Sequence, residues 1–105
     1  MLEDDFYKKV YKVVRKIPFG RVTTYGAIAK FIASPSSSRV VGWALNSSHN
    51  DSSIPAHRVV NRNGLLTGKH HFFGHDLMKQ LLENEGINII DNQVQDFEIK
   101  FWKPK

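Results

Sequence analysis

Apolar residues recur every three or four positions in four short segments of this 105-residue chain, and that periodicity limits the fold to a small helical domain. Proline or glycine follows the first and the last segment, as is common at helix ends. Thr23 or Thr24 can cap the second helix, and Ser34 followed by Pro35 is typical of a helix start. The apolar faces consist of Phe6, Val10, Val13, Val14 and Ile17; Ala27, Ile28, Phe31 and Ile32; Val40, Val41, Ala44 and Leu45; and Leu77, Met78, Leu81 and Leu82.

The second and third segments predict a helix-turn-helix, with the third helix ending near Asn46. The fourth helix is predicted from Asp76 to Glu85. Two apolar pairs, residues 59–60 and 65–66, flank an Asn-Gly sequence, which favours a β-hairpin with Arg62 at its tip as a basic wing. The fold class is therefore mainly α with a small β-hairpin, in one domain over residues 1–105.

The C-terminal stretch shows a different pattern. Phe97, Ile99 and Phe101 alternate with polar residues, and Trp102 follows them. Alternation with a period of two is typical of an extended segment with one apolar face. The pattern predicts an extended arm packed on the body of the domain.

The absence of cysteine excludes disulfides, thiolate metal sites and cysteine nucleophiles. Hydrophobic residues make up 41% of the chain and charged residues 24%, which is typical of a globular protein. No apolar run approaches the roughly 18 residues of a membrane span, and the acidic N-terminus is unlike a secretory signal. We therefore expect no membrane partner, and a location in the cytoplasm with the bacterial nucleoid or in a eukaryotic nucleus.

The net charge of +5 is unevenly distributed. Residues 6–75 contain eleven lysines and arginines but one acid, Asp51, whereas the acids otherwise lie at the two ends of the chain. A basic body of this kind favours a polyanionic partner such as nucleic acid.

The stretch IPAHRVV, residues 54–60, has the polar side chains of a catalytic loop but lacks a nucleophile. His57 and Arg58 follow Pro55 after one intervening residue. That residue is Ala56, whose methyl group has neither a lone pair nor an acidic proton.

Four stretches in order carry a resemblance to a known family: IPFGRVTTYGAIA (17–29), SRVVGWAL (38–45), IPAHRVV (54–60) and LLENEG (81–86). The chain resembles the DNA-binding domain of the O6-alkylguanine-DNA alkyltransferases over about residues 5 to 90, which implies a winged helix-turn-helix-like fold. That family has cysteine where Ala56 stands here. Full alkyltransferases also contain a second domain, normally N-terminal, which we expect this protein to lack. The combination is similar to the alkyltransferase-like proteins, which bind O6-alkylguanine in duplex DNA without removing the alkyl group and direct it to nucleotide-excision repair.

The resemblance implies roles for the residues of the predicted helix-turn-helix. Arg39 would intercalate from the minor groove while Tyr25 crowds the phosphate backbone, so that the modified nucleotide rotates out of the stack. Ser37, Ser38 and Gly42 would be the small positions that face the groove.

The resemblance also implies a pocket for the flipped base. Tyr25, Pro55, Ala56, Val59 and Lys69 would line it, and alanine at its floor would leave room for bulky adducts. His57 and Glu85 correspond to the family's proton relay, which has lost the group that it serves. We expect them to hold the loop, and we expect no catalysis and no cofactor.

Two departures from the family affect the surroundings of this pocket. Ser48 and His49 stand where the family has Asn-Pro, and the segment after the predicted hairpin reads TGKHHFFGHD. The three histidines of that segment invite a metal site, but no set of carboxylate and histidine ligands completes one. We therefore expect no metal; the histidines are His70, His71 and His75.

Three alternatives remain open at the level of sequence. The chain could be an inactivated form of a true alkyltransferase in which cysteine was replaced by alanine. It could be a winged-helix regulator that binds undamaged sites, which would favour a dimer, whereas a lesion reader is expected to be a monomer. An enzyme with different chemistry at His57 would need a nucleophile or metal site that the pattern lacks.

Overall fold

The computed structural model describes residues 2–32, 38–48, 51–68 and 76–105, and for residues 2–4 the backbone alone. Within these ranges the chain forms short helices and two-residue strands, and none of the helices is long and apolar enough to cross a membrane. The order is α1 (Leu2–Arg15), β1 (Thr23–Thr24), α2 (Tyr25–Phe31), α3 (Ser38–Asn46), a 3-10 turn (Ala56–Arg58), β2 (Val59–Val60), α4 (Leu77–Asn84), β3 (Ile89–Ile90), β4 (Gln93–Val94) and α5 (Phe97–Lys100).

Helices α1, α2 and α3 pack around what we call the first core. The predicted apolar faces of these helices supply most of it, which confirms the helical periodicity. Phe31 was predicted inward but is 48% exposed, because Ala29 rather than Phe31 occupies the buried face of this two-turn helix. The buried members of the first core are Val10, Val13, Val14, Ile17, Ile28, Ala29, Val41, Ala44, Leu45, Ile54 and Val59.

The helix boundaries follow local signals in the sequence. Thr24 caps α2, since its hydroxyl accepts a hydrogen bond from the Ala27 amide at 3.0 Å. Gly86 follows α4 with a φ of +85°, a conformation that glycine adopts without strain. The predicted start of α3 at Ser34 and Pro35 lies outside the described residues.

Helix α4 and the C-terminal third enclose a second core. Its members are Val22, Val60, Leu66, Met78, Leu82, Ile87, Ile89 and Val94. Strand β2 joins the two cores, because successive strand side chains point to opposite faces. Val59 belongs to the first core and Val60 to the second. The 3-10 turn therefore ends where the two cores meet.

The antiparallel hairpin of the fold lies elsewhere than predicted. Strand β2 pairs in parallel with β1, and Leu65 forms a bridge with Gln93 instead of continuing a hairpin. Both residues of β2 are buried, which is typical of a parallel strand covered on two sides. The hairpin is formed by β3 and β4, joined by Asp91 and Asn92, which both have positive φ as a tight hairpin turn requires.

The prediction of an extended arm at residues 97–101 is wrong. Phe97–Lys100 form a one-turn helix, in which the rings of Phe97 and Phe101 approach to 5.8 Å between centroids. The apolar side chains that contact each other in this segment are therefore four residues apart, and not two as the alternation suggested. Beyond the helix, Phe101 bridges to Val22, and the Trp102 amide donates to the Val22 carbonyl at 2.7 Å. This contact ties the chain end to the segment that leads into β1.

Candidate functional site

Two polar side chains of the 3-10 turn meet Glu85 just beyond the end of α4. Nε2 of His57 lies 2.6 Å from Oε2 of Glu85. Arg58 donates from Nε to both carboxylate oxygens at 3.0 Å and from Nη2 to Oε2 at 2.9 Å. The Glu85 side chain is 5% exposed, and those of His57 and Arg58 are 13% and 16% exposed. A nearly buried charged cluster therefore holds the turn.

The same cluster reaches the turn that follows α1. The Gly20 amide donates to Oε1 of Glu85 at 2.8 Å, and Gly20 has a φ of +83° that favours glycine. Arg58 also donates from Nη1 to the Ile17 carbonyl at 2.9 Å, and its guanidinium lies 5.8 Å from the centroid of the Phe19 ring. Three segments far apart in sequence thus become one rigid unit around a single carboxylate.

The environment sets the protonation states of this cluster. Burial raises the pKa of Glu85, but the hydrogen bonds from Arg58, the Gly20 amide and His57 outweigh it, so that the pKa is lowered. Burial lowers the pKa of His57, against the opposing influence of Glu85. At neutral pH the carboxylate is therefore charged and the imidazole neutral. The proton of the imidazole must then lie on Nε2 to bond the carboxylate, which leaves Nδ1 as an acceptor.

A recess of about 480 Å³ opens beside the turn. Ala56 contributes a methyl group to it. Two nearby hydroxyls are already donating: Ser48 to the Leu45 carbonyl at 2.7 Å and Ser53 to Oδ1 of Asp51 at 2.6 Å. The recess can enclose a group but presents a methyl where a nucleophile would stand. Its lining consists of Arg15, Ser48, Asp51, Ser52, Ser53, Ile54, Pro55, Ala56, His57, Arg58, Leu77 and Leu81.

Tyr25 begins α2, directly after the cap residue Thr24. Its ring packs against the first core and is partly exposed. Burial raises the pKa of its hydroxyl, against a hydrogen bond from Thr67 that lowers it. Tyr25 is therefore neutral at physiological pH and is held between α2 and the segment after β2.

Helix α3 exposes the side of the helix-turn-helix on which the predicted DNA-binding residues lie. Ser38 and Arg39 are exposed, and Gly42 is partly exposed. A Cβ atom added to Gly42 would meet nothing within 4 Å, so the helix backbone is open to close approach there. Neither α2 nor α3 contains an acidic residue. The exposed side is therefore cationic, and its backbone is accessible at Gly42.

Three hydrogen bonds anchor the C-terminal end of α3 through consecutive carbonyls. Ser47 donates its hydroxyl to Trp43 at 3.2 Å, Tyr11 to Ala44 at 2.7 Å, and Ser48 to Leu45 at 2.7 Å. Two of these carbonyls also accept backbone hydrogen bonds at 3.1 Å, that of Trp43 from the Ser47 amide and that of Leu45 from the Ser48 amide. Tyr11 belongs to α1, so its bond also fixes α3 relative to the body of the domain.

The structure brings part of the predicted pocket together. Pro55, Ala56 and His57 line one recess. Val59 has no exposed surface, because its side chain packs in the first core while β2 pairs with β1. Tyr25 packs against the first core and is not among the residues that line the recess.

Several predicted residues lie outside the described ranges. They are Ser37, His49, Lys69, His70, His71 and His75. In the described part of the chain, no three His, Asp or Glu side chains group together in a way that could hold a metal ion.

Sequence reasoning did not predict the contacts of two residues that organise the site. Arg58 makes the largest share of hydrogen bonds to Glu85, and Tyr11 anchors α3. Both contacts join residues more than 25 positions apart, so no local pattern in the sequence indicates them.

Comparison with known proteins gives the relatives of the chain. A family model described as "6-O-methylguanine DNA methyltransferase, DNA binding domain" matches residues 5–87. Alkyltransferase-like protein 1 of Schizosaccharomyces pombe is 37% identical over 99% of this chain and 100% of its own length. The DNA base-flipping protein of Escherichia coli is 38% identical over 95% of this chain and 76% of its own length.

Proteins named as methyltransferases also occur among the relatives. A methylated-DNA–protein-cysteine methyltransferase of Methanosarcina acetivorans is 43% identical over 78% of this chain, which spans about half, 51%, of that enzyme. Among solved structures, Schizosaccharomyces pombe Atl1 in complex with damaged DNA containing O6-carboxymethylguanine has a TM-score of 0.84 at 36% identity, covering 96% of this chain and 97% of the other.

These matches confirm the family and the fold class expected from the four motifs. A chain without cysteine cannot accept an alkyl group on a cysteine sulfur. The chain belongs to the family of 6-O-methylguanine DNA methyltransferase DNA-binding domains, in an alkyltransferase-like form that has no acceptor cysteine.

Proposed function

We propose that this protein recognises O6-alkylguanine in double-stranded DNA without transferring the alkyl group. The observation that carries the proposal is Ala56, a methyl group in a turn whose other polar side chains are held in place by Glu85. Such a turn retains a recess but offers no acceptor. The complex of the Schizosaccharomyces pombe relative with DNA containing O6-carboxymethylguanine supports the same class of ligand.

In this proposal α3 docks in the minor groove, and the target nucleotide flips out of the stack. Arg39 fills the space that the nucleotide leaves, and Tyr25 crowds the phosphate backbone. Flipping costs a few kcal/mol and is easiest where pairing is already impaired, as it is for an O6-alkylated guanine. Ser38 and Gly42 would be groove-facing positions of α3, and Ser37, which lies outside the described residues, is proposed to contact the groove with them.

The flipped base would enter beside the 3-10 turn. Pro55 and Ala56 would contact it, and Val59 would support the turn from the first core. Tyr25, which packs on the first core outside the recess, and Lys69, which lies outside the described residues, are proposed to contact the base as it enters. Burial of the alkyl group contributes roughly 25 cal/mol per Å² of apolar surface. Discrimination against guanine then comes from this burial and from the easier flipping.

A protein that binds a lesion without removing it needs a partner that completes the repair. We propose that the monomeric protein, bound to DNA in the nucleoid or nucleus, flags the lesion for nucleotide-excision repair. Recruitment is tested by incubating lesion and undamaged duplexes with the protein in a cell extract. Excision proteins retained on both duplexes equally would contradict this role.

The main experiment compares one duplex carrying a single O6-methylguanine with the same duplex carrying guanine, at fixed salt because affinity depends on it. We expect tighter binding to the lesion duplex, and recovery of the DNA with its methyl group intact. Transfer of the methyl group would overturn the proposal. Equal affinity for both duplexes would favour the winged-helix regulator instead.

Arginine variants sharpen this comparison. Arg39→Ala should reduce the preference for the lesion duplex, because the vacancy in the stack is no longer filled. Arg62→Ala, at the exposed turn after β2, is the matched charge control and should lower affinity for both duplexes equally. Equal effects of the two substitutions would contradict the role of Arg39.

A further inference from the structure

Trp43 presents an indole on the exposed side of α3. The residue is 52% exposed, although tryptophan is on average a highly buried residue. It lies four residues after Arg39, so the two side chains are neighbours on one helix face, about 6 Å apart along the axis. Gly42, which precedes it, adds no side chain beside the ring.

The backbone beneath this indole is held firmly. The Trp43 carbonyl accepts hydrogen bonds from both the amide and the hydroxyl of Ser47, at 3.1 and 3.2 Å. On the opposite side of the helix, Val41, Ala44 and Leu45 are buried in the first core. The ring therefore projects from a fixed helix, which reduces the entropy lost when it binds a partner.

The chemistry of this surface indicates the kind of partner. Lys30 and Arg39 are the charged residues of α2 and α3, and neither helix carries an acid. A second copy of the chain would bring two cationic surfaces together. The indole N–H is a donor without acceptor capacity, whereas the minor groove presents mainly acceptors on its floor and apolar deoxyribose on its walls.

We propose that Trp43 is a minor-groove contact whose ring lies against the deoxyribose walls, one helical turn from Arg39. This proposal rests on the proposed function and deepens it by assigning different roles to two residues of α3. Trp43 strengthens binding to any duplex, because sugars are the same beside guanine and alkylguanine. Arg39 supplies the discrimination between them.

The test measures binding of Trp43→Ala to the lesion and undamaged duplexes by anisotropy of labelled DNA. We expect about tenfold weaker binding to both duplexes, with an unchanged salt dependence because no charge is lost. Ile99→Ala, which removes an apolar side chain that is 69% exposed on α5, is the matched control and should bind as the unaltered protein does.

A second measurement remains informative if the alanine variant folds poorly. The unaltered protein and a Trp102→Phe variant, in which Trp43 is the remaining tryptophan, are titrated with DNA while acrylamide quenching is followed. We expect DNA to shield Trp43 from the quencher. Unchanged quenching together with unchanged affinity of Trp43→Ala would overturn the inference.

The remaining outcomes separate the inference from the proposed function. Loss of affinity for the lesion duplex alone would place Trp43 at the flipped base and overturn the groove-wall contact. Self-association without DNA that Trp43→Ala abolishes would overturn it in favour of a protein interface. If Trp43→Ala binds the lesion duplex as selectively and as tightly as the unaltered protein does, the inference fails and the proposed function stands. If the unaltered protein does not bind DNA at all, both the inference and the proposed function fail.

Discussion

At the scale of single residues, the site is organised around Glu85 rather than around the residue that its family uses for chemistry. One carboxylate joins His57 and Arg58 of the 3-10 turn to the Gly20 amide. A buried carboxylate left without its partners would be costly, so these contacts stabilise the turn whatever residue stands at position 56. Ala56 then determines only the room available.

The size of residue 56 should set the range of adducts that bind. In Ala56→Leu, additional carbon atoms occupy the recess beside the turn. We expect affinity for O6-benzylguanine duplexes to fall about tenfold or more and affinity for O6-methylguanine duplexes to fall less, since overpacking costs 1–3 kcal/mol. Titration of both duplexes checks this. An equal loss for the two adducts would show that the alkyl group does not reach residue 56.

Removal of the charge on Glu85 should destabilise the protein. In Glu85→Gln the guanidinium of Arg58 remains almost buried without its counter-charge, and we expect the free energy of unfolding to fall by about 3 kcal/mol. Urea denaturation measures the loss. Glu83→Gln is the matched control, because Glu83 is an exposed residue of the same region. Equal stability of the two variants would contradict the role assigned to Glu85.

At the scale of elements, α3 is a helix fixed at one end. Its first-core face and the three side chains that bond its last carbonyls hold it to α1 and to the following loop. The exposed face carries Arg39 and Trp43 on this support. A helix that must enter a groove benefits from such fixing, because a loose helix would lose entropy on binding.

The bond from Tyr11 to α3 gives a prediction at this scale. Tyr11→Phe leaves the Ala44 carbonyl without this donor, and we expect a loss of about 1 kcal/mol in stability with weaker binding to both duplexes. Thermal unfolding and DNA titration check the two effects. Tyr7→Phe is the control, since Tyr7 stacks edge-on against the Tyr11 ring and keeps that contact without its hydroxyl. A Tyr11 variant that matches the control would remove the anchoring role.

At the scale of the whole molecule, two small cores share one two-residue strand. Strand β2 supplies one valine to each core. A substitution that disturbs the packing of either core should therefore also shift the turn that precedes β2. The charged cluster of Glu85 lies at this junction. The stability of the fold should therefore depend on the ionisation of that cluster.

Stability should fall as the pH is lowered. The folded pKa values of His57 and Glu85 both lie below their ordinary values of 6.5 and 4.5, so the unfolded chain binds more protons. The contribution of His57 is complete above pH 6.5 and is lost as the pH falls through its folded pKa, and that of Glu85 is lost below pH 4.5 in the same way. Urea denaturation at pH 7.5, 5.5 and 3.5 measures the trend, and the lowest pH tests the contribution of Glu85.

A non-titrating side chain isolates the first part of this trend. His57→Gln can still donate to Glu85 but does not bind a proton. We expect its stability to change less between pH 7.5 and 5.5 than that of the unaltered protein. Identical pH dependence of the two proteins would mean that His57 is not the titrating group.

Local signals predicted the elements well and their pairing poorly. The apolar spacing of α1 and α4 was correct, as was that of α2 except at Phe31, because one helix is specified by residues within four positions of each other. Val59-Val60 was assigned to the wrong partner, because a two-residue strand contains too little pattern to select one. At the site, the motifs identified Ala56, His57 and Glu85. They did not indicate that Arg58 bonds the Glu85 carboxylate, because that contact forms only when residues 27 positions apart come together.

The sequence by itself determined the family, the helical class and the absence of a cysteine acceptor, since motif order and composition do not depend on contacts. Only the tertiary structure decided what surrounds Ala56. It buried Val59, surrounded Glu85 with donors from two distant segments, and left Trp43 exposed on the helix that carries Arg39. Burial and hydrogen-bond partners arise from residues distant in sequence, and their distances are set only when both cores close around β2.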